Sequence, residues 1–142
     1  MHLQWLAKLV AASFGLSRVN AARAQSIIDQ VPTSLRPDRS EPFAWPTTRR
    51  PDQWTGFRRA STDEPRVVED ISLRELGNAM VALSAAASGI EHEEMLHATL
   101  ALFGGRRLTP GIGTRLAFAL QNAVDRGRLE KQANGLLVAA EG

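Results

Sequence analysis

The chain is 142 residues long, enough for one ordinary domain or two very small ones, and 44% of it is apolar. It has no Cys, which excludes disulfides and thiolate metal sites, and it has no apolar run long enough to span a bilayer. The net charge of +2 is unevenly spread: residues 1–60 carry nine Lys and Arg against four Asp and Glu (+5), and residues 61–142 carry eight against eleven (−3). The first half therefore suits phosphates or an acidic partner, and the second argues against wrapping the whole chain in nucleic acid.

Leu6, Val10 and Phe14 recur at helical spacing and lead into Gly15, which predicts a helix from Leu3 to Phe14. A second helix is expected from Val19 to Gln30, with Ile27 on its apolar side and Pro32 ending it. The same pattern returns near the other end, where Met95, Thr99 and Phe103 lead into Gly104 and Leu116 follows; one constant offset aligns both sets. Such a repeat points to two copies of one supersecondary unit. It also explains the apolar spacing of the N-terminal stretch better than an export leader does. Lys8 and Arg18 bracket that stretch, and Arg23 falls inside its small-x-small motif, Ala22-Arg23-Ala24.

Residues 31–66 hold six of the seven prolines, together with Phe43, Trp45, Trp54 and Phe57. Proline and charge argue for loop, whereas aromatics in a free linker would be out of place. The stretch reads as an extended wing that packs its rings on the first unit or on the seam between units.

The second half is more regular. Ser72-Leu73-Arg74-Glu75 has the spacing of a capping box, so a helix is expected from Leu73 to about Ala87, with Leu76, Met80 and Leu83 facing the core and Gly89 ending it. Ile90 is a single apolar residue, long enough for one sheet bridge. Glu91, Glu93 and Glu94 favour the start of the next helix, whose apolar side is Met95, Leu96, Thr99, Leu102 and Phe103. Thr109-Pro110 opens a further helix with the stripe Ile112, Leu116, Ala119, Leu120 and Ala123, closed by Gly127. Asn134-Gly135 then separates Arg128–Gln132 from Leu136-Leu137-Val138, and this dipeptide favours a tight hairpin turn with positive φ at both central residues. Helix, short strand, helix, helix, hairpin is the order of a winged helix. The expected fold is mainly α: tandem winged-helix-like units with short β-hairpin wings, the first unit (residues 1–60) incomplete for want of its first helix and the second (residues 61–142) complete. A unit without its first helix exposes apolar surface, as expected of the tail of a longer protein.

Three stretches carry a family resemblance: Phe57-Arg58-Arg59, Val68 through Val81, and Leu102-Phe103-Gly104-Gly105-Arg106-Arg107-Leu108-Thr109-Pro110. With the Pro42-Phe43-Ala44-Trp45-Pro46 segment, they resemble the C-terminal domain of unknown function of large bacterial helicase-like proteins of superfamily 1. The resemblance covers most of the chain and is most specific over residues 69–110. It implies a DNA-transaction setting, repair or phage defence, beside an ATPase core and a nuclease-like segment. It carries over no catalytic residue, since this chain has no phosphate-binding Gly-x-x-x-x-Gly-Lys-Ser/Thr loop.

No nucleophile with a base and an orienting group can be assembled, so the chain reads as a non-enzyme without cofactor. His92 and His97 are five apart, about 140° around a helix, which refuses the zinc-protease motif; no metal is expected, and Glu93 and His97 read as an exposed pair. The candidate DNA contacts are Arg106 and Arg107 before a helix N-terminus, Thr109, Arg115 and Asn122 on that helix, and Lys131 and Asn134 on the wing. Their plain alternative is a polar helix face and a solvated turn in which the arginines pair with nearby glutamates. In the first unit Arg18, Asn20, Arg23 and Gln25 occupy the corresponding region without a carboxylate until Asp29, the better electrostatic prospect. Trp45, Trp54 and Phe57 among Arg49, Arg50, Arg58 and Arg59 either stack single-stranded bases or staple the segment to the core, and ring burial favours the second. The expected function is a noncatalytic, cytoplasmic accessory module that binds DNA beside a helicase or nuclease partner or parent polypeptide. The alternatives are a protein-docking or structural module and a gene remnant.

Overall fold

A computed structural model describes residues 1–16, 18, 20–37, 40–46, 50–61 and 66–141. Val19 and Arg49, named above, lie outside the described residues. The chain forms two compact units, Met1–Trp54 and Thr55–Gly142. It is mainly helical, with one small antiparallel sheet.

In the first unit α1 spans Leu3–Ser13 and α2 spans Ala21–Asp29. Asn20 caps α2, its side-chain oxygen accepting from the Arg23 N–H at 2.8 Å and so satisfying one of the amides left open at a helix start. Leu3, Ala7, Ala24, Ile28 and Ala44 form the buried cluster of this unit. Small alanines at the contact let the two helices approach closely. The 42–45 segment closes the other side: the Leu3 N–H donates to the Pro42 carbonyl and the Ala44 N–H to the Met1 carbonyl, both at 2.7 Å, and His2 pairs with Phe43 in an isolated antiparallel bridge. Phe43 and Trp45 are buried, and Trp54 packs edge-on against Trp45 with ring centres 5.4 Å apart. The described part of the aromatic stretch thus contributes 3-10 turns (Thr33–Leu35 and Pro51–Gln53) and one bridge to the first unit, and no hairpin.

The second unit has α3 at Leu73–Ala87, α4 at His92–Leu102, α5 at Pro110–Asp125, and a hairpin of β1 (Leu129–Lys131) and β2 (Leu137–Ala139). Glu130 faces Val138 in the register, and Ile90 makes the expected single bridge, to Leu137. Helix, bridge, helix, helix, hairpin is the winged-helix order. Its core joins Ile71, Leu76, Ala79 and Met80 to Met95, Leu100, Phe103, Leu116 and Leu120, with Leu129 and Leu137 from the hairpin. Residues 55–60 pack with this unit rather than the first. The Ala60 N–H donates to the Leu102 carbonyl at 3.2 Å, and Phe57 meets Phe103 edge-on at 6.3 Å.

Two local details differ from expectation. Ser72 does cap α3, its hydroxyl accepting from the Glu75 N–H at 3.2 Å, but the Glu75 carboxylate does not return to Ser72; it binds Arg66 and the Arg58 N–H instead. The hairpin turn has positive φ only at Gly135 (φ 87), not at Asn134. The Gly135 N–H donates to the Gln132 carbonyl and the Gln132 N–H to the Leu136 carbonyl, so the loop is a three-residue turn closed by a left-handed glycine. Asn134 is held there because its side chain accepts from the Leu136 N–H at 3.0 Å.

The repeat holds at backbone level. Phe14 and Phe103 stand 89 positions apart, and the same offset carries the ends of α1 onto those of α4 and Asn20 onto Thr109. Phe14 and Phe103 close their helices with nearly the same backbone (φ −98, ψ 14 and φ −96, ψ 14), each followed by a left-handed glycine. The amides of Phe14, Gly15 and Leu16 bond to Ala11, Ala12 and Ala11; those of Phe103, Gly104 and Gly105 bond to Leu100, Ala101 and Leu100. Asn20 and Thr109 each cap the amide three residues on.

Candidate functional site

The candidate contacts of the second unit divide sharply. Arg106 and Arg107 are exposed in the turn that leads into α5, and neither side chain makes a hydrogen bond or ion pair among the described residues, although the Arg107 carbonyl accepts from the Thr109 N–H at 3.1 Å. The alternative in which they pair with nearby glutamates therefore does not describe them. Lys131 is likewise exposed on β1. Thr109 and Asn134 are exposed, but their side-chain oxygens accept from Ile112 and Leu136 amides, so both serve local structure. Arg115 is half-buried and its guanidinium donates to the Ile71 carbonyl at 2.6 Å, which turns it into the unit and away from a groove-reading position. Asn122 is half-buried on α5. The exposed side of α5 instead presents Thr114, Phe118, Gln121 and Asp125, and Gln121 is tied to Asp125 at 2.8 Å.

In the first unit Arg18 and Arg23 are exposed. Asn20 is spent on its cap, and Gln25 donates to Asp29 at 2.7 Å. The aromatic residues do not form a base-stacking platform. Phe43 and Trp45 are buried, Trp54 is half-buried on Trp45, and Phe57 is half-buried on Phe103, which is the stapling role. His97 is exposed, and the pair that forms on α4 is His92 with Glu93, at 3.5 Å, rather than Glu93 with His97. Among the described residues no group of three or more His, Asp or Glu gathers to hold a metal, and no helix is long and apolar enough to cross a membrane.

Two polar networks were not foreseen. The Arg66 guanidinium meets both Glu75 oxygens, at 2.9 Å through Nη2 and more closely through Nη1, with side-chain exposures of 12% and 9%. Arg66 also lies over the Phe103 ring, 5.5 Å from its centre. The Arg128 guanidinium donates to the Asn78 side-chain oxygen Oδ1, and the Asn78 side-chain nitrogen donates to the Gly56 backbone carbonyl at 2.7 Å. Burial first, then Arg74 and Arg126, push the Arg128 guanidinium down to about 10. The signal in sequence was a polar residue inside a helical pattern, Glu75 and Asn78, which does not name a partner far away in the chain.

The repeat has opposite fates in the two units. Met95, Thr99, Phe103 and Leu116 are fully buried. Their counterparts Leu6, Val10, Phe14 and Ile27 line an open groove of about 510 Å³ on α1 and α2, and Phe14 is 80% exposed. Among the described residues, five of the seven exposed large apolar side chains lie in the first sixteen: Met1, Trp5, Leu9, Phe14 and Leu16. Of these, Phe14 and Leu16 line the groove.

No family model, curated protein or solved structure matches the chain.

Proposed function

We propose that the chain is a noncatalytic accessory module that binds DNA by its phosphate backbone, in the helicase- or nuclease-associated setting that the family resemblance implies. The observation that carries this reading is the exposed, unengaged Arg106-Arg107 pair ahead of the α5 N-terminus, where free amides and the helix dipole also favour an anion. Arg115 is held inward and Asp125 faces out, so contact positions the module on the duplex and does not read bases. Affinity then depends steeply on salt, because each neutralised phosphate releases counterions. Titration of labelled duplex and single-stranded DNA across a salt series tests this. The double variant Arg106→Ala/Arg107→Ala is expected to bind more weakly and to lower the log–log salt slope by about 2. Arg18→Ala/Arg23→Ala tests the first unit by itself and is expected to weaken binding and lower the slope in the same way. Folded protein that binds neither DNA at low salt overturns the reading.

A second reading, a protein-docking module, is favoured by the open apolar groove of the first unit.

A further inference from the structure

We infer that the groove on α1 and α2 is a docking site for an amphipathic helix of a partner polypeptide, seated as α3 is seated on α4 and α5. The inference rests on the docking reading and does not require DNA binding, although Arg23 is common to both surfaces.

The internal repeat names the occupant. At an offset of 89 residues, the groove positions Leu6, Val10, Phe14 and Ile27 correspond to Met95, Thr99, Phe103 and Leu116. In the second unit α3 packs on both α4 and α5, and Leu76, Ala79 and Met80 join Met95, Phe103 and Leu116 in one core. The backbones that carry the two sets share the whole of α1 and α4, the closing hydrogen bonds and the cap of the next helix, so the surface around that turn is built twice, although α2 is nine residues long and α5 sixteen. It is covered by a helix once; among the described residues, the first unit supplies no equivalent of α3. The occupant therefore needs an apolar stripe at the spacing of Leu76, Met80 and Leu83, the helix-in-groove mode of recognition. Arg23 is the one charged side chain on the lining among the described residues, so the occupant carries a carboxylate beside the stripe to meet it.

The test is an NMR titration of the labelled full chain with a helix-stapled peptide of residues 72–88, the α3 sequence. Saturable shifts at Leu6, Val10, Phe14 and Ile27 are expected, with Kd below about 1 mM. A scrambled peptide should leave them unmoved, and Phe14→Glu should weaken binding at least about tenfold. Phe14 is exposed, so its variant retains the fold; Ile27→Glu, with its melting curve recorded, is the second variant. No saturable shift, or equal shifts with the scrambled peptide, overturns the inference. Sedimentation separates the two failures. A dimer abolished by Phe14→Glu assigns the groove to a second copy, which ends the partner-helix inference and keeps the docking reading. A monomer that also ignores the peptide ends both.

Discussion

Glu75 sits in the first turn of α3 and is buried, yet its carboxylate is fully engaged: Arg66 takes both oxygens and the Arg58 N–H donates to one at 2.9 Å. Removing one partner of such a pair leaves a charge without compensation in a poorly solvated place, which costs about 3–5 kcal/mol. Glu75→Ala and Arg66→Ala are each expected to lose stability on that scale in urea denaturation. The double variant should cost clearly less than their sum, because the second substitution removes the stranded charge. Additive losses below about 1 kcal/mol would place the pair among exposed ion pairs. Half of this site was legible. Ser72 as a cap follows from its residue type three places before a helical glutamate. The destination of the Glu75 carboxylate does not, since a capping-box glutamate and a core ion-pair glutamate occupy the same position, and the choice is made by Arg66 nine residues upstream, within a proline- and charge-rich stretch that carries no periodicity.

The elements follow the sequence closely where cap chemistry marks their ends. Ser72, Asn20 and Thr109 each cap a helix, and Gly15, Gly104 and Gly127 take the left-handed backbone just past helix ends. Ile90 was recognisable as a bridge because it is a lone apolar residue between a stop and a start. What the local pattern does not contain is how elements meet. Gly77 in the middle of α3 illustrates this: glycine there costs about 1 kcal/mol against alanine, and a Cβ at this position would stand 3.0 Å from the Arg128 guanidinium. The glycine makes room for Arg128 at the seam of α3, α5 and β1. Burial and the neighbouring Arg74 and Arg126 disfavour the charge on Arg128 and lower its pKa to about 10. A cation with a lowered folded pKa leaves the unfolded state holding more protons between the two values, so stability rises with pH across that window. Relative to Arg128→Met, the wild-type chain is therefore expected to gain stability as the pH rises above about 10, read from paired denaturation curves. Without Tyr or Cys, the other groups that titrate in or near this range are the two Lys and the N-terminal amine, and the paired comparison cancels them. A difference that stays constant or moves against the wild type contradicts this seam.

At the scale of the whole molecule, one helix pair is built twice and covered once. The repeat was legible because both copies keep the same apolar spacing before their Phe-Gly ends. The difference in cover was legible only as a missing first helix, and its consequence, a groove lined by Leu6, Val10, Phe14 and Ile27, required the packing to be seen. Phe103 is enclosed by α3, by the edge of Phe57 and by Arg66, all from the segment that precedes α4. Phe14, with the same backbone, stands in the open groove. The most direct measurement is the paired stability of Phe14→Ala and Phe103→Ala by urea denaturation of the full chain at several protein concentrations. Phe103→Ala is expected to cost about 3–5 kcal/mol, the penalty for emptying a packed site. Phe14→Ala should change stability by no more than about 0.5 kcal/mol, as an uncovered surface position does. Comparable losses at the two positions would contradict an open first unit beside a covered second one.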